Sequence, residues 1–156
     1  MIVRRSPLAD VEIPVVTITE FVLQEAARVP DRPALIDGPT GRTYTYAQLS
    51  GAIHSFAGGL QARGLGPGST IALMSPNIPE FAIVFHGGAV AGVAVSTINP
   101  TYTAEEVAFQ LRDSEAAIAI TVAPFAQTAV AAARAAKVAE VSSSVNRRMA
   151  YRRSHH

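Results

Sequence analysis

The sequence predicts an α/β fold: a mostly parallel sheet flanked by helices, with a small hairpin near residues 34–45. Three observations carry that prediction. Four capping-box patterns, each a side-chain oxygen followed three residues later by an acid or amide, stand ahead of helix-like apolar stripes. Short continuous apolar runs fall between those stripes, as they do in parallel strands covered on both faces. Turn chemistry at Asp37-Gly38-Pro39-Thr40-Gly41 joins two further short strands.

Taken in chain order, Thr17 and Glu20 form the first box and open a stripe of Ile18, Val22, Ala26 and Val29 that Pro30 ends. Strands at Ala34–Ile36 and Arg42–Thr45 flank the turn. Thr45 and Gln48 form the second box, and Tyr46, Leu49, Ile53, Phe56 and Leu60 line a helix that Gly64 stops. A strand at Thr70–Met74 follows. Asn77 and Glu80 form the third box, opening a segment from Ile78 to Val90 that is apolar on most sides and therefore expected to be buried. The next strand spans Val93–Ile98. Thr103 and Glu106 form the fourth box, ahead of Ala104, Val107, Ala108 and Leu111 at i, i+3, i+4 and i+7. A last strand is read at Ala117–Val122. Strand and helix alternate from residue 70 to 135, which predicts a right-handed wind of parallel strands.

The chain has 156 residues, 49% of them hydrophobic and 16% charged, a balance that suits one folded domain. It has no cysteine, so disulfides, thiolate metal sites and cysteine nucleophiles are all excluded. The net charge of +1 is unevenly spread. Residues 1–140 carry nine basic against twelve acidic side chains, whereas 141–156 carry Arg147, Arg148, Arg152 and Arg153 and no acid. The folded part thus offers no basic surface for nucleic acid. The Ser- and Arg-rich end has neither periodicity nor apolar content and is expected to be disordered. The domain reading is an N-terminal extension at 1–14, a folded part at 15–140 and a basic tail at 141–156. The run from Phe81 to Ile98 approaches the roughly 20 apolar residues of a membrane span. His86 in its middle, Gly87, Gly88 and Gly92 within it, and Asn77 and Asn99 at its borders favour a buried helix and strand instead. A soluble, cytoplasmic protein is expected.

Three stretches carry a family resemblance. Thr43-Tyr44-Thr45-Tyr46-Ala47-Gln48-Leu49 resembles the first core motif of adenylate-forming enzymes, the AMP-dependent synthetases and ligases. Residues 68–81, with Ser75-Pro76-Asn77-Ile78-Pro79-Glu80, are similar to the family's turn, buried strand and Pro-Asn-x-x-Glu, with Ser69 in place of its usual Asp. Asn99-Pro100-Thr101-Tyr102-Thr103-Ala104-Glu105-Glu106 resembles the acyl-CoA synthetase branch that holds 4-coumarate–CoA ligase. Order and spacing agree over roughly residues 15–140. The resemblance implies the N-terminal part of the adenylate-forming synthetase fold. It also implies a reaction in which ATP and a carboxylic acid form an acyl-adenylate that coenzyme A converts to a thioester. ATP, Mg²⁺ and coenzyme A are thus implied for a full-length relative and none for this chain alone. The family's phosphate loop and C-terminal lysine have no counterpart here. Lys137, the one lysine, matches no family motif, and Gly64-Leu65-Gly66-Pro67-Gly68 is a turn without a lysine.

No catalytic, cofactor-binding or metal residue is therefore assigned. Gly87-Gly88-Ala89-Val90-Ala91-Gly92 falls inside a helix, where close packing explains it better than a dinucleotide loop. Glu105 and Glu106 are adjacent, about 100° apart on a helix, and cannot converge as an acid/base pair. His54 reads as a surface residue and His86 as a hydrogen-bonded core histidine. Tyr102 is expected to begin a helix and pack on the Asn99-Pro100 turn. The terminal His155-His156 pair is too short for a metal site. The chain reads as an N-terminal fragment of an acid–CoA ligase, inactive alone, its family likeness ending near residue 140. The alternative is a binding or regulatory module that pairs with a partner ligase chain. Either way an unpaired sheet edge is expected to seek the remainder of a ligase or a second copy.

Overall fold

The computed structural model describes residues 7–9 and 11–143. Helix α1 (Ile18–Leu23) and a 3₁₀ turn (Ala26–Arg28) lead into strands β1 (Pro33–Ile36) and β2 (Thr43–Thr45) and helix α2 (Tyr46–Gln61). Then come β3 (Thr70–Met74), α3 (Pro79–Ala91), β4 (Ala94–Ile98) and α4 (Ala104–Asp113). The described chain closes with β5 (Ile118–Thr121), a 3₁₀ turn (Ala123–Phe125), α5 (Ala126–Ala136) and β6 (Glu140–Ser142). β1 and β2 form the antiparallel hairpin. The other four strands are all parallel, in the order β4-β3-β5-β6.

Alternation along the central strands divides the core into two. Ile71, Leu73, Ile118 and Ile120 face one way, against Leu49, Ile53, Phe56 and Leu60 of α2 and Ile83 and Val84 of α3. Ala72, Met74 and Ala119 face the other way, against Val107, Ala108 and Leu111 of α4 and Ala129, Ala132 and Ala133 of α5. The first layer is built from large side chains and the second mostly from alanine. Each large side chain so buried contributes on the order of 1.5–3 kcal/mol. Among the described residues no helix is long and apolar enough to cross a membrane.

Gly87 and Gly88 let α3 settle into the first layer. A methyl group on Gly87 would lie 2.6 Å from Phe56 Cδ1 and 3.0 Å from the Ile53 carbonyl, and one on Gly88 would lie 2.5 Å from Val95 Cγ2. The glycines are thus packing residues, as expected. Gly92 then stops the helix at φ 73°.

Three of the four capping boxes form, at Thr17/Glu20, Thr45/Gln48 and Thr103/Glu106. The fourth, Asn77/Glu80, does not. Proline 79 disfavours helical backbone at the residue before it, so Ile78 stays extended at φ −117°, ψ 163° and becomes the N-cap, with no side-chain cap bond. Glu80 is released from the helix end and turns inward.

Other elements depart from expectation as well. α1 stops at Leu23, and its apolar stripe is displaced by one position: Ile18 and Val22 are exposed, while Thr19 is buried and Leu23 packs on the core. β4 is not covered on both faces, because it is an edge strand with Ala94 and Thr97 exposed. Tyr102 precedes the N-cap Thr103 rather than beginning α4. Ordered pairing also passes the boundary drawn at residue 140. Val141 and Ser142 lie opposite Ala119 and Ile120, and Glu140 faces Arg63 across 3.5 Å. The disorder expected of the tail from 144 onward lies outside the described residues, as do Arg147, Arg148, Arg152, Arg153 and the terminal histidines.

Lys137 is the C-cap of α5 and holds left-handed backbone at φ 60°. A β-carbon makes that conformation unfavourable, and glycine carries no such cost. Lys137→Gly should therefore stabilise the chain by about 0.5–1 kcal/mol. Urea unfolding checks this, and an unchanged or lower midpoint contradicts it.

Candidate functional site

In an open parallel sheet, ligands bind beyond the carboxyl ends of the strands, where the winding reverses. Here the reversal lies between β3 and β5, since α3 covers one face and α5 the other. Two hydroxyls stand at this crevice, and both are spent on the backbone. Thr121 Oγ1 donates to the Met74 carbonyl at 2.9 Å, and Ser75 Oγ donates to the Pro76 carbonyl at 3.0 Å. Both side chains are buried. They brace the crevice.

Beside the crevice lies a cluster of charges that the fold draws inward. Glu80, with its side chain 7% exposed, takes a two-pronged bond from Arg42: Nη1 to Oε1 at 2.5 Å and Nη2 to Oε2 at 2.6 Å. The Tyr44 hydroxyl donates to the same carboxylate at 3.4 Å, and the Arg42 guanidinium stands 5.6 Å from the Tyr44 ring centroid. The hydrogen bond to Glu80 raises the pKa of Arg42, and burial, followed by the Glu80 charge, raises that of the Tyr44 phenol. The guanidinium therefore stays charged and the phenol neutral. A shallow cavity of about 280 Å³ adjoins the cluster, between the hairpin at Ile36, Asp37 and Pro39 and the start of α3 at Asn77 and Phe81. With its charges mutually satisfied, the cluster serves to lock the hairpin onto α3.

His86 lies half-buried on α3, its Nδ1 3.0 Å from Thr19 Oγ1 and its ring edge-on to Phe85. This is the hydrogen-bonded core histidine that was expected, and it ties α1 to α3. Burial lowers its pKa below 6.5. The unfolded chain then binds the proton more tightly, so the contribution is complete above about pH 6.5 and is lost as pH falls from there toward the lower native value. Between pH 7.5 and 5.5, the urea midpoint should fall in the parent chain and fall less in His86→Gln. Parallel pH dependence in the two proteins would rule this out.

The remaining sequence candidates are dispersed. His54 is exposed and bonds the Ser50 carbonyl at 2.8 Å within its own helix. Glu106 caps Thr103 while Glu105 is exposed, so the two do not converge. Asn99 organises its turn by accepting from the Thr101 amide at 3.0 Å, and Tyr102 is 40% exposed beside it. No group of three or more His, Asp or Glu among the described residues could hold a metal ion. Nor do these residues fit a nucleotide triphosphate. Gly64–Gly68 lies at the amino end of β3, the wrong end of a parallel sheet, and is closed by its own bonds, including Ser69 N to the Gly66 carbonyl at 2.9 Å. Lys137 is spent as the C-cap of α5.

What this geometry defines is a doubly wound α/β arrangement with helices on both faces of a parallel sheet. The chain belongs to the AMP-binding enzyme family, whose sequence profile matches residues 22–154. The match runs past residue 140, where the resemblance was expected to end. The chain is 41% identical over 122 residues to 4-coumarate–CoA ligase 3 of Oryza sativa, covering 78% of this chain and 22% of that protein. It is 38% identical over 124 residues to 4-coumarate–CoA ligase of Pinus taeda, covering 79% and 23%. A fatty acyl CoA synthetase of Mycobacterium tuberculosis superposes with a TM-score of 0.74 at 31% identity, over 82% of this chain and 26% of the other. The chain thus spans under a quarter of the length of the curated relatives it matches.

The Arg42–Tyr44–Glu80 cluster escaped the sequence reading. The signal was present in Pro79, which disfavours helical backbone at Ile78 and so frees Glu80 from the cap.

Proposed function

We propose that this chain is the N-terminal scaffold of an ATP-dependent carboxylic acid–CoA ligase, and that 156 residues of it form no acyl-adenylate by themselves. The observation that supports this reading is the parallel sheet with its switch-point crevice, in which Ser75, Thr121, Arg42 and Glu80 are all engaged by the fold. A crevice of that kind needs a further phosphate-binding loop, a cation near the carboxylate and Mg²⁺ before it can activate an acid with ATP. The likeness to 4-coumarate–CoA ligases and to a fatty acyl CoA synthetase supports an aryl or fatty carboxylic acid as the substrate class. The cytoplasm, where ATP and coenzyme A are available, is the setting that this reading gives the protein.

ATP–pyrophosphate exchange tests it directly. The 156-residue chain should show no exchange with a panel of aryl and fatty acids. A chimera in which these residues replace the matching segment of the Oryza sativa ligase should show exchange. Robust exchange by the short chain alone would overturn the reading.

A further inference from the structure

We propose that the basic end of this chain, residues 144–156, folds back along α4 and seats its arginines in an acidic groove there. The groove encloses about 650 Å³. Its charged lining is wholly acidic: Glu105 and Glu106 lie in the first turn of α4, and Asp113 ends the helix. Phe109, 65% exposed, falls between them along the helix, and Tyr102, 40% exposed, lines the groove as well. The amide in the lining is already engaged, since Gln110 Nε2 donates to Ser96 Oγ at 3.0 Å and to the Thr97 carbonyl at 2.9 Å. Glu106 caps Thr103, but Glu105 and Asp113 have no basic partner among the described residues. Elsewhere Glu25, Glu80 and Glu140 are matched by Arg28, Arg42 and Arg63.

The tail carries the matching pattern. Arg147 and Arg148 precede Met149 and Tyr151, Arg152 and Arg153 follow them, and no acid occurs from residue 141 onward. Along α4 the groove runs acid, aromatic, acid; the tail runs basic, apolar, basic. The scale agrees too. Glu105 and Asp113 are eight residues apart, about 12 Å along a helix. Arg147 and Arg152 are five apart, up to about 17 Å of extended chain. Reach is sufficient as well. β6 ends at Ser142 at the carboxyl end of the parallel sheet, and α4 starts beyond that same end of β4. Three strand spacings separate β6 from β4, about 14 Å in all. The five residues from Ser142 to Arg147 extend to about 17 Å before the arginine side chain is added. Arginine suits this lining doubly, because its guanidinium pairs with carboxylates and stacks on aromatic faces. Exposed ion pairs are weak one at a time, but a tethered partner acts at an effective concentration on the order of millimolar. The docked tail covers Phe109 and closes the groove to other cationic ligands.

Because the chain has no cysteine, a nitroxide attached through Ser154→Cys is its sole label. In NMR spectra of the whole chain at low salt, the amides from Phe109 to Asp113 should lose most of their intensity, and those of α2, on the other face of the sheet, should keep theirs. High salt should restore the lost signals, since the pairs are exposed. Arg147→Gln, Arg148→Gln, Arg152→Gln and Arg153→Gln together leave residues 7–143 unaltered and should abolish the broadening. Glu105→Lys with Asp113→Lys should abolish it too, and adding Arg147→Glu, Arg148→Glu, Arg152→Glu and Arg153→Glu to that variant should bring it back. No broadening on α4 at low salt, equal broadening on α2 and α4, or broadening that survives the four Gln substitutions overturns the proposal. A mixture of nitroxide-bearing chain with isotope-labelled chain lacking the nitroxide tests for a second copy. Broadening in the mixture would mean that the tail enters a neighbour's groove, and would overturn the fold-back. Each of these readouts is independent of pyrophosphate exchange.

Discussion

Arg42→Ala should destabilise the chain by about 2–4 kcal/mol, somewhat less than the roughly 3–5 kcal/mol of breaking a fully buried ion pair, because Arg42 itself is 38% exposed. The carboxylate it leaves is the reason. Glu80, 7% exposed beneath the Arg42 side chain, would lose both bonds from the guanidinium and keep the Tyr44 hydroxyl at 3.4 Å. Removing both charges is a different experiment. Arg42→Met with Glu80→Gln keeps comparable volumes and strands no charge, so the pair should recover much of what Arg42→Ala loses. Urea unfolding of the single and double variants measures the coupling directly. A single variant within about 0.5 kcal/mol of the parent would mean that Glu80 finds water or another partner, and that the hairpin is not held through this pair.

The same cluster shows where sequence reasoning reaches and where it stops. Thr17/Glu20, Thr45/Gln48 and Thr103/Glu106 are contacts between residues three apart, so a local pattern contains everything that forms them. Strand β3 is recovered with its bounds intact because Thr70–Met74 lies in the middle of the sheet, where apolar content and burial coincide. The bond from Arg42 to Glu80 joins residues 38 apart, and no periodicity reports such a contact. Nor can composition tell a central strand from an edge strand. Val93–Ile98 reads as apolar as Ile118–Thr121, yet only the latter has neighbours on both sides. β6 failed in the opposite sense. Glu140-Val141-Ser142 has little strand character of its own and is recruited by the open side of β5 and by Arg63. The engagement of Ser75 and Thr121 by the backbone needed coordinates.

Leu73→Ala should be the most damaging truncation in the sheet, at about 3–4 kcal/mol. Leu73 is 1% exposed on β3, between Ile71 and the large side chains of α2 and α3, in a layer whose members hold one another in place. The deleted atoms lose their burial, and the neighbours cannot close the gap. Gly87 has already brought α3 to the limit of approach to Phe56 and the Ile53 carbonyl. Leu73→Met, which conserves volume, should cost less than about 1.5 kcal/mol. The opposite face makes the complementary prediction. Ala72 is 1% exposed among Ala119, Ala129, Ala132 and Ala133, so the damaging change there is enlargement. Ala72→Leu should cost about 1–3 kcal/mol by forcing α4 and α5 away from the sheet. For a domain with a total stability of about 5–15 kcal/mol, Leu73→Ala removes a large share. Urea midpoints with an unchanged m-value would locate the loss in the native core. If Leu73→Ala proved as mild as Leu73→Met, the layer would be able to collapse, and the tight seat that Gly87 gives α3 would not be what fixes its packing.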